Sequence, residues 1–415
     1  MGLLDLFMVA SVPVMKVLLI CGLGSFLALD HIDILGESAR KQINNVVFFV
    51  FNPALVSSNL AQTITLENIV SLWFMPVNIL LTFILGLFFG WVLGKITKAP
   101  QHLKGLVIGS CAAGNLGNLP LILVPAICRE KGSPFGAPDS CHMYGMAYVS
   151  LSMAIGAIYL WSIVYNIVRV SSTKSYEVIN VKNESSDEET SKSLQEQLID
   201  ELDLEGTSAM DDANVSLLSC AKTDEQGKVF ILDKIKKQIY SFFRNINLKA
   251  ILAPSTTAAI VGFIVGLVPP IQRLMIGASA PLHVVQDSAL LLGEAAIPIV
   301  TLIVGANLLR GLRGSGVQLT VILGIIAIRY VFLPLIGVLV IRGAIHLGFV
   351  HADPLYQFVL LLQYALPPAM NIGTITQLFG SGQSECSVIL LWTYSVASVS
   401  LTLWSTYFMW LVAKS

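Results

Sequence analysis

Charge is scarce in this chain. Asp, Glu, Lys and Arg make up 12% of its 415 residues, against about 25% in soluble domains, while 55% are hydrophobic. So few ionic groups exclude a soluble globular protein and point to a polytopic membrane protein. The net charge of −1 argues against nucleic acid as a partner. Catalytic signatures are missing too: there is no H-E-x-x-H, no G-x-S-x-G and no Walker loop. The histidines, among them His102, His283 and His351, fall near the ends of apolar runs. An enzyme and an ATP-driven pump are both disfavoured. The six cysteines form no C-x-x-C and lack nearby histidines, so neither a zinc site nor a redox motif is expected and no cofactor is implied. Met1 to Phe7 contains Asp5 but no basic residue, and the apolar run behind it is too long for a signal-peptide core, so it is expected to stay as a first span. The chain has no Lys-Asp-Glu-Leu-type ending.

What is present is apolar length. A spanning helix needs about 20 apolar residues, and that ruler gives ten spans: 7–29, 42–62, 68–94, 103–127, 143–169, then 248–268, 284–309, 317–347, 355–379 and 386–412. Short cytoplasmic loops collect Lys and Arg. Arg40, Lys41, Lys95, Lys98, Lys104, Arg169, Lys174, Arg310 and Arg313 share one side, and the other side holds Arg129, Lys131, Arg273 and Arg342. Both termini are therefore expected outside or in a lumen, with the long central loop in the cytosol.

That loop divides the chain into 1–169, 170–247 and 248–415. From Glu184 to Glu225 it is acidic and poor in aromatics, the composition of a linker that cannot bury enough apolar surface to fold. Near its end Leu232, Ile235, Ile239, Phe242 and Ile246 recur at helical spacing among Lys234, Lys236, Lys237 and Arg244. This reads as a basic amphipathic helix, lying either on membrane lipid or on the protein itself. The sequons at Asn183 and Asn214 fall in the same loop, so sugar on either asparagine would overturn the orientation. Cys128 and Cys141 bracket the loop between the fourth and fifth spans on the lumenal or outer face, where a disulfide is permitted. Free thiols near helix ends are the alternative.

Two apolar segments are interrupted. Gly109 to Pro120 contains glycines, Asn115, Asn118 and Pro120, and Ala365 to Gly373 contains Pro367, Pro368, Met370 and Asn371. Unwound backbone at membrane depth is tolerated only where protein buries it or where it lines a watery cavity. Five spans per half is an odd number, so the second half enters with opposite orientation, as an inverted repeat with the breaks in corresponding helices. Asn52-Pro53 in the second span likewise pairs with Ile297-Pro298 in the seventh, each proline expected to split its helix. The fold class is thus an all-α membrane protein of ten transmembrane helices, arranged as two five-helix inverted repeats whose broken fourth and ninth helices cross at the midplane.

Such a crossing attracts an anion, because helix N-termini carry unpaired N–H groups and about half a positive charge. The side chains there are Asn115, Asn118 and Asn371, with Gln363 nearby, amides that can donate to a carboxylate. Leu116, Leu119 and Met370 suit a flat apolar body. The plainer alternative is that these small and amide residues only glue helices together. Lys16, Glu294 and Arg329 fall near the middle of their spans, which marks either an internal ion pair or a transport role, although Lys16 can also snorkel. Glu294 is the candidate for proton coupling.

Several runs resemble the plant PIN-LIKES proteins, which are auxin-efflux-carrier-like transporters: Ala61-Gln62-Thr63-Ile64-Thr65-Leu66-Glu67, Trp73-Phe74-Met75-Pro76-Val77-Asn78, Gly114-Asn115-Leu116-Gly117-Asn118-Leu119-Pro120 with Val124-Pro125-Ala126-Ile127-Cys128, and Leu366-Pro367-Pro368-Ala369-Met370-Asn371-Ile372-Gly373-Thr374. The resemblance covers both membrane halves and fails in the central loop. It implies a scaffold plus a transport domain, elevator-type alternating access, indole-3-acetic acid as substrate and the endoplasmic reticulum as location. By analogy with PIN carriers it also implies a homodimer and a carboxylate held near Asn115, Asn118, Pro120, Pro367, Pro368 and Asn371, with Gly117 of the first break counted among the candidate binding residues. Two other readings stand beside it: an ion-coupled transporter of similar design, for organic anions or for sodium or protons, and a membrane receptor that binds auxin without moving it.

Overall fold

The computed structural model describes residues 3–64, 72–172, 254–277, 279–313, 317–379 and 382–414. The linker, amphipathic-helix and sequon expectations of the central loop lie outside them. Among the described residues there is no strand, and seven helices are long and apolar enough to cross a membrane, or eight if one bent pair counts as a span.

The first half opens with α1 (Leu3–Leu27). α2 (Glu37–Val46) passes through a π-helical turn, Val47–Phe51, into α3 (Asn52–Thr63). Then follow α4 (Phe74–Ile96), α5 (Gln101–Ala112), α6 (Asn118–Arg129) and α7 (Pro138–Tyr159), which continues through a π turn at Leu160–Val164. In the second half α8 (Pro254–Leu267) and α9 (Pro269–Met275) meet at a bend of 100°. α10 (His283–Arg313) is long and continuous. α11 (Leu319–Ala327) runs through a π turn at Ile328–Phe332 into α12 (Leu333–His346), and α13 (Pro354–Ala365), α14 (Asn371–Leu378) and α15 (Gln383–Val412) complete the chain.

The prolines act differently from the simple expectation that each splits its helix. Pro298 sits inside an unbroken α10. Pro53 and Pro334 each follow a π turn. A proline ring clashes with the carbonyl four residues back, and widening the preceding turn relieves that clash without ending the helix.

The described helices form one compact unit, within which two groups are distinguished by their partners. α1 lies along α10, and α3 along α8 and α10; Gly24 meets the Leu302 backbone and Gly305 meets the Cys21 backbone, where no larger side chain fits. Small residues allow this approach in the absence of a hydrophobic drive between lipid-solvated helices. In the other group α4 packs on α5, α6 on α7, and α13 on α12 and α15. The seam between the groups runs where α1 and α10 meet α15 and α3 meets α7. Asp353 caps α13 by accepting from the Leu355 and Tyr356 N–H groups at 2.9 and 3.3 Å. It also accepts from the Tyr148 hydroxyl at 2.6 Å, tying α13 to α7. Cys128 and Cys141 form a disulfide with Cα atoms 5.5 Å apart, joining the end of α6 to the start of α7.

Candidate functional site

The first interruption is shorter than Gly109 to Pro120. α5 stays helical through Ala112, and only residues 113–117 are unwound. Pro120 falls in the first turn of α6, where its missing N–H costs no helical bond. The break is therefore made by Gly114 to Gly117, with φ −105° and ψ −85° at Gly117. In the second interruption Pro367 and Pro368 do lie in the unwound stretch, after an extended Leu366. The pieces α5, α6 and α13 have 12 residues each, about 18 Å of helix, too short alone for a hydrocarbon core of about 30 Å.

The two breaks lie against each other. Asn115 donates its N–H to the Pro367 carbonyl at 2.8 Å, and Ala369 donates to the Ala113 carbonyl at 2.9 Å, an antiparallel bridge across Gly114 and Pro368. Backbone groups freed by the breaks thus largely satisfy each other, as buried peptide groups must. The Asn115 side chain is 6% exposed and donates to the Tyr394 hydroxyl at 2.8 Å, which in turn donates to the Pro368 carbonyl at 3.1 Å. Tyr394 on α15 therefore clamps both breaks. Nothing in its sequence neighbourhood marks it, since it stands in an ordinary apolar helix.

Beside the bridge is a cavity of about 470 Å³. Asn118 and Asn371, the first residues of α6 and α14, both line it with Met370, Gly373 and Thr374. Neither side-chain amide is bonded to another described residue. α10 adds Val300, Ile303, Val304 and Asn307, and α15 adds Leu390 and Tyr394. From α2 come Glu37, Arg40, Lys41, Asn44 and Asn45. The Asn52 side chain also lines the cavity, and its Oδ1 is buried without a hydrogen-bond partner among the described residues. The cavity lies on the seam between the two helix groups.

Backbone donors at these helix starts are partly used. Ile372 and Gly373 donate to Ala369 and Met370 at 3.2 and 2.9 Å, and Leu121 donates to Gly117 at 3.1 Å. The side chains of Asn118 and Asn371 are consequently the freest donors on that wall.

Other sequence candidates go elsewhere. Gln363 does not line the cavity: its Nε2 donates to Ser152 Oγ at 3.1 Å and its Oε1 accepts from Asn78 Nδ2 at 2.8 Å. Asn78 in turn accepts from the Tyr364 hydroxyl at 2.9 Å, so these buried groups join α4, α7 and α13. Gly117, Pro367 and Pro368 shape the breaks and Pro120 sits in the first turn of α6, and none of the four lines the cavity.

Lys16, Glu294 and Arg329 do not pair with one another. Lys16 binds Glu130 at 3.0 Å in an exposed bridge between α1 and the end of α6. Glu294 is exposed on α10. Arg329 is 1% exposed, donates through Nε to the Ser110 carbonyl at 3.0 Å and has no partner for Nη2 among the described residues. The direction each side chain faces was not legible from sequence. Arg329 sits in a π turn beside the first break: a Cβ added at Gly114 would lie 3.2 Å from its Nη1. A cation placed near the carbonyl end of α5 complements that helix dipole.

Among the described residues no group of acidic, histidine or cysteine side chains could hold a metal ion. Cys21, Cys111 and Cys386 are buried free thiols.

Residues 9–405 match a family described as membrane transport protein. The chain is 54% identical over 413 residues to Protein PIN-LIKES 1 of Arabidopsis thaliana, covering 100% of this chain and 81% of that protein. It is 52% identical to Protein PIN-LIKES 3 of the same plant, with 99% of each chain covered, and 31% identical to Protein PIN-LIKES 6, covering 95% and 91%. Bridge, cavity and apolar helices fit that assignment, and the chain belongs to the PIN-LIKES family of membrane transport proteins.

Proposed function

We propose that the protein carries indole-3-acetic acid, or a closely similar aromatic acid, across the endoplasmic reticulum membrane and so controls how much auxin accumulates inside the cell. The observation that carries this reading is the pair Asn118 and Asn371, one at the start of each second half-helix, facing one cavity on the seam between two helix groups. The ligand and the organelle in this reading rest on the resemblance to auxin carriers.

In this reading the carboxylate accepts hydrogen bonds from the two free side-chain amides, at the positive ends of α6 and α14. The indole ring rests on Val300, Ile303, Met370 and Leu390. A cavity of about 470 Å³ falls within the roughly 300–1,000 Å³ of small-molecule pockets. Arg40 and Lys41 at the α2 side draw the anion in, and Arg329 adds fixed positive charge behind the bridge. Amides, with Glu37 as the single acidic residue among the described lining residues, favour an anionic solute over a sodium ion or proton.

The chain then crosses the membrane ten times as two five-helix inverted repeats, with α5–α6 and α13–α14 as the broken fourth and ninth spans. Both termini are lumenal and the central loop is cytosolic, so the cavity, which includes Arg40 and Lys41, opens to the cytosol. The group holding both breaks is the moving body of an elevator, and the group of α1, α2, α3, α8, α9 and α10 is its scaffold and the contact surface of a homodimer. Radiolabelled indole-3-acetate flux into proteoliposomes tests the function. Saturable flux is expected; saturable binding without flux would favour a receptor instead.

A further inference from the structure

A second cleft, of about 220 Å³, lies away from the candidate site. It is formed by the later part of α12, the first part of α13 and the last turn of α15. Along α15 its Trp410 is 16 residues beyond Tyr394, roughly 24 Å of helix. The two cavities therefore sit toward opposite ends of α15 and share no lining residue.

The cleft has a layered chemistry. Its floor is apolar and buried: Val338, Ile341 and Leu361 are 7%, 1% and 1% exposed. Its rim carries two cations, Arg342 and Lys414, and among the described residues no acidic one lines it. Lys414 holds its ammonium 4.1 Å from the centre of the Trp410 ring. Arg342 is exposed and has no hydrogen-bond or ion-pair partner among the described residues. By the distribution of basic residues this end of the bundle is the one with few cations, so two cations converging on one cleft there are not explained by orientation. Tryptophan at a helix end marks the headgroup level of a bilayer, and basic pockets between spanning helices suit lipid headgroups.

We infer that the cleft between α12, α13 and α15 is a binding site for an anionic glycerophospholipid, with Arg342 and Lys414 holding the headgroup phosphate and Val338, Ile341 and Leu361 holding an acyl chain. The guanidinium offers a planar fork to phosphate oxygens and the ammonium a point charge. A zwitterionic lipid brings a choline cation to the same rim and is held less well. The site needs only that the chain spans a membrane and does not depend on which solute is carried.

The test uses the purified full chain in phosphatidylcholine nanodiscs with and without phosphatidylinositol, followed by native mass spectrometry of the lipids that stay bound. The wild-type protein is expected to retain phosphatidylinositol in preference to phosphatidylcholine, and the Arg342→Gln/Lys414→Gln double variant to lose that preference. Its unchanged melting temperature in phosphatidylcholine alone shows that it is folded, and Arg342→Lys should keep part of the preference. Inorganic phosphate at the same concentration should neither protect nor displace the lipid, because it cannot use the apolar floor. Equal retention by the double variant, or displacement by free phosphate, would overturn the assignment.

Discussion

Replacing Asn371 by alanine removes one side-chain donor from the cavity and little else. The residue opens α14, is only partly exposed, and its amide bonds to no other described side chain. A hydrogen bond to a charged group contributes about 1.5–3 kcal/mol, and each 1.4 kcal/mol is a factor of about ten in affinity. The variant should therefore bind indole-3-acetate on the order of ten- to a hundredfold more weakly. Binding should not vanish, because Asn118 and the start of α6 remain, and a helix N-terminus alone contributes about 0.3–1 kcal/mol toward an anion. Asn118→Ala should behave alike, and the double variant should lose roughly the sum. Equilibrium binding of radiolabelled ligand to each purified protein measures this, with a thermal melt alongside to show that folding survives. Wild-type affinity in both single variants would refute the reasoning and move the site elsewhere.

Asn115 should respond differently from Asn371, because its amide belongs to the clamp made by Tyr394. In a double-mutant cycle of Asn115→Ala with Tyr394→Phe, the two changes should couple by about 0.5–3 kcal/mol in stability, and simple additivity would contradict the clamp. Glu294→Gln should leave the pH dependence of flux unchanged, since Glu294 is exposed on α10 and absent from the cavity wall; a lost pH dependence would restore it as a proton-coupling group. Cys128→Ser opens a loop with a sequence separation of 13 and should lower stability by about 3 kcal/mol on the chain-entropy estimate, read as a fall in melting temperature of the oxidised protein.

The breaks were visible in the sequence because Gly114 to Gly117 and Pro367-Pro368 interrupt apolar runs that nothing else explains. Their mutual bridge is a backbone arrangement, so no side chain announced that Asn115 and Ala369 would spend their amides on each other. Of the three asparagines expected to bind, Asn115 is engaged with Tyr394, and the proposed binding role rests on Asn118 and Asn371, which line the cavity from helix starts. Gln363 looked like a site residue because it is polar and close in sequence, yet α13 turns that face toward Asn78 and Ser152. Tyr394, Asn52 and the α2 residues Arg40 and Lys41 come to the cavity from helices distant in sequence, and only packing brings them there. The three charges show the same limit: which way Lys16, Glu294 and Arg329 face depends on neighbours that the periodicity does not name.

The most direct test of the anion site is a structure of the full chain bound to indole-3-acetate in a lipid nanodisc. The account predicts ligand density in the cavity, with the carboxylate within hydrogen-bonding distance of the Asn118 and Asn371 side chains and the indole against Ile303 and Met370. Density that leaves both amides empty, with the carboxylate held elsewhere in the chain, would contradict it.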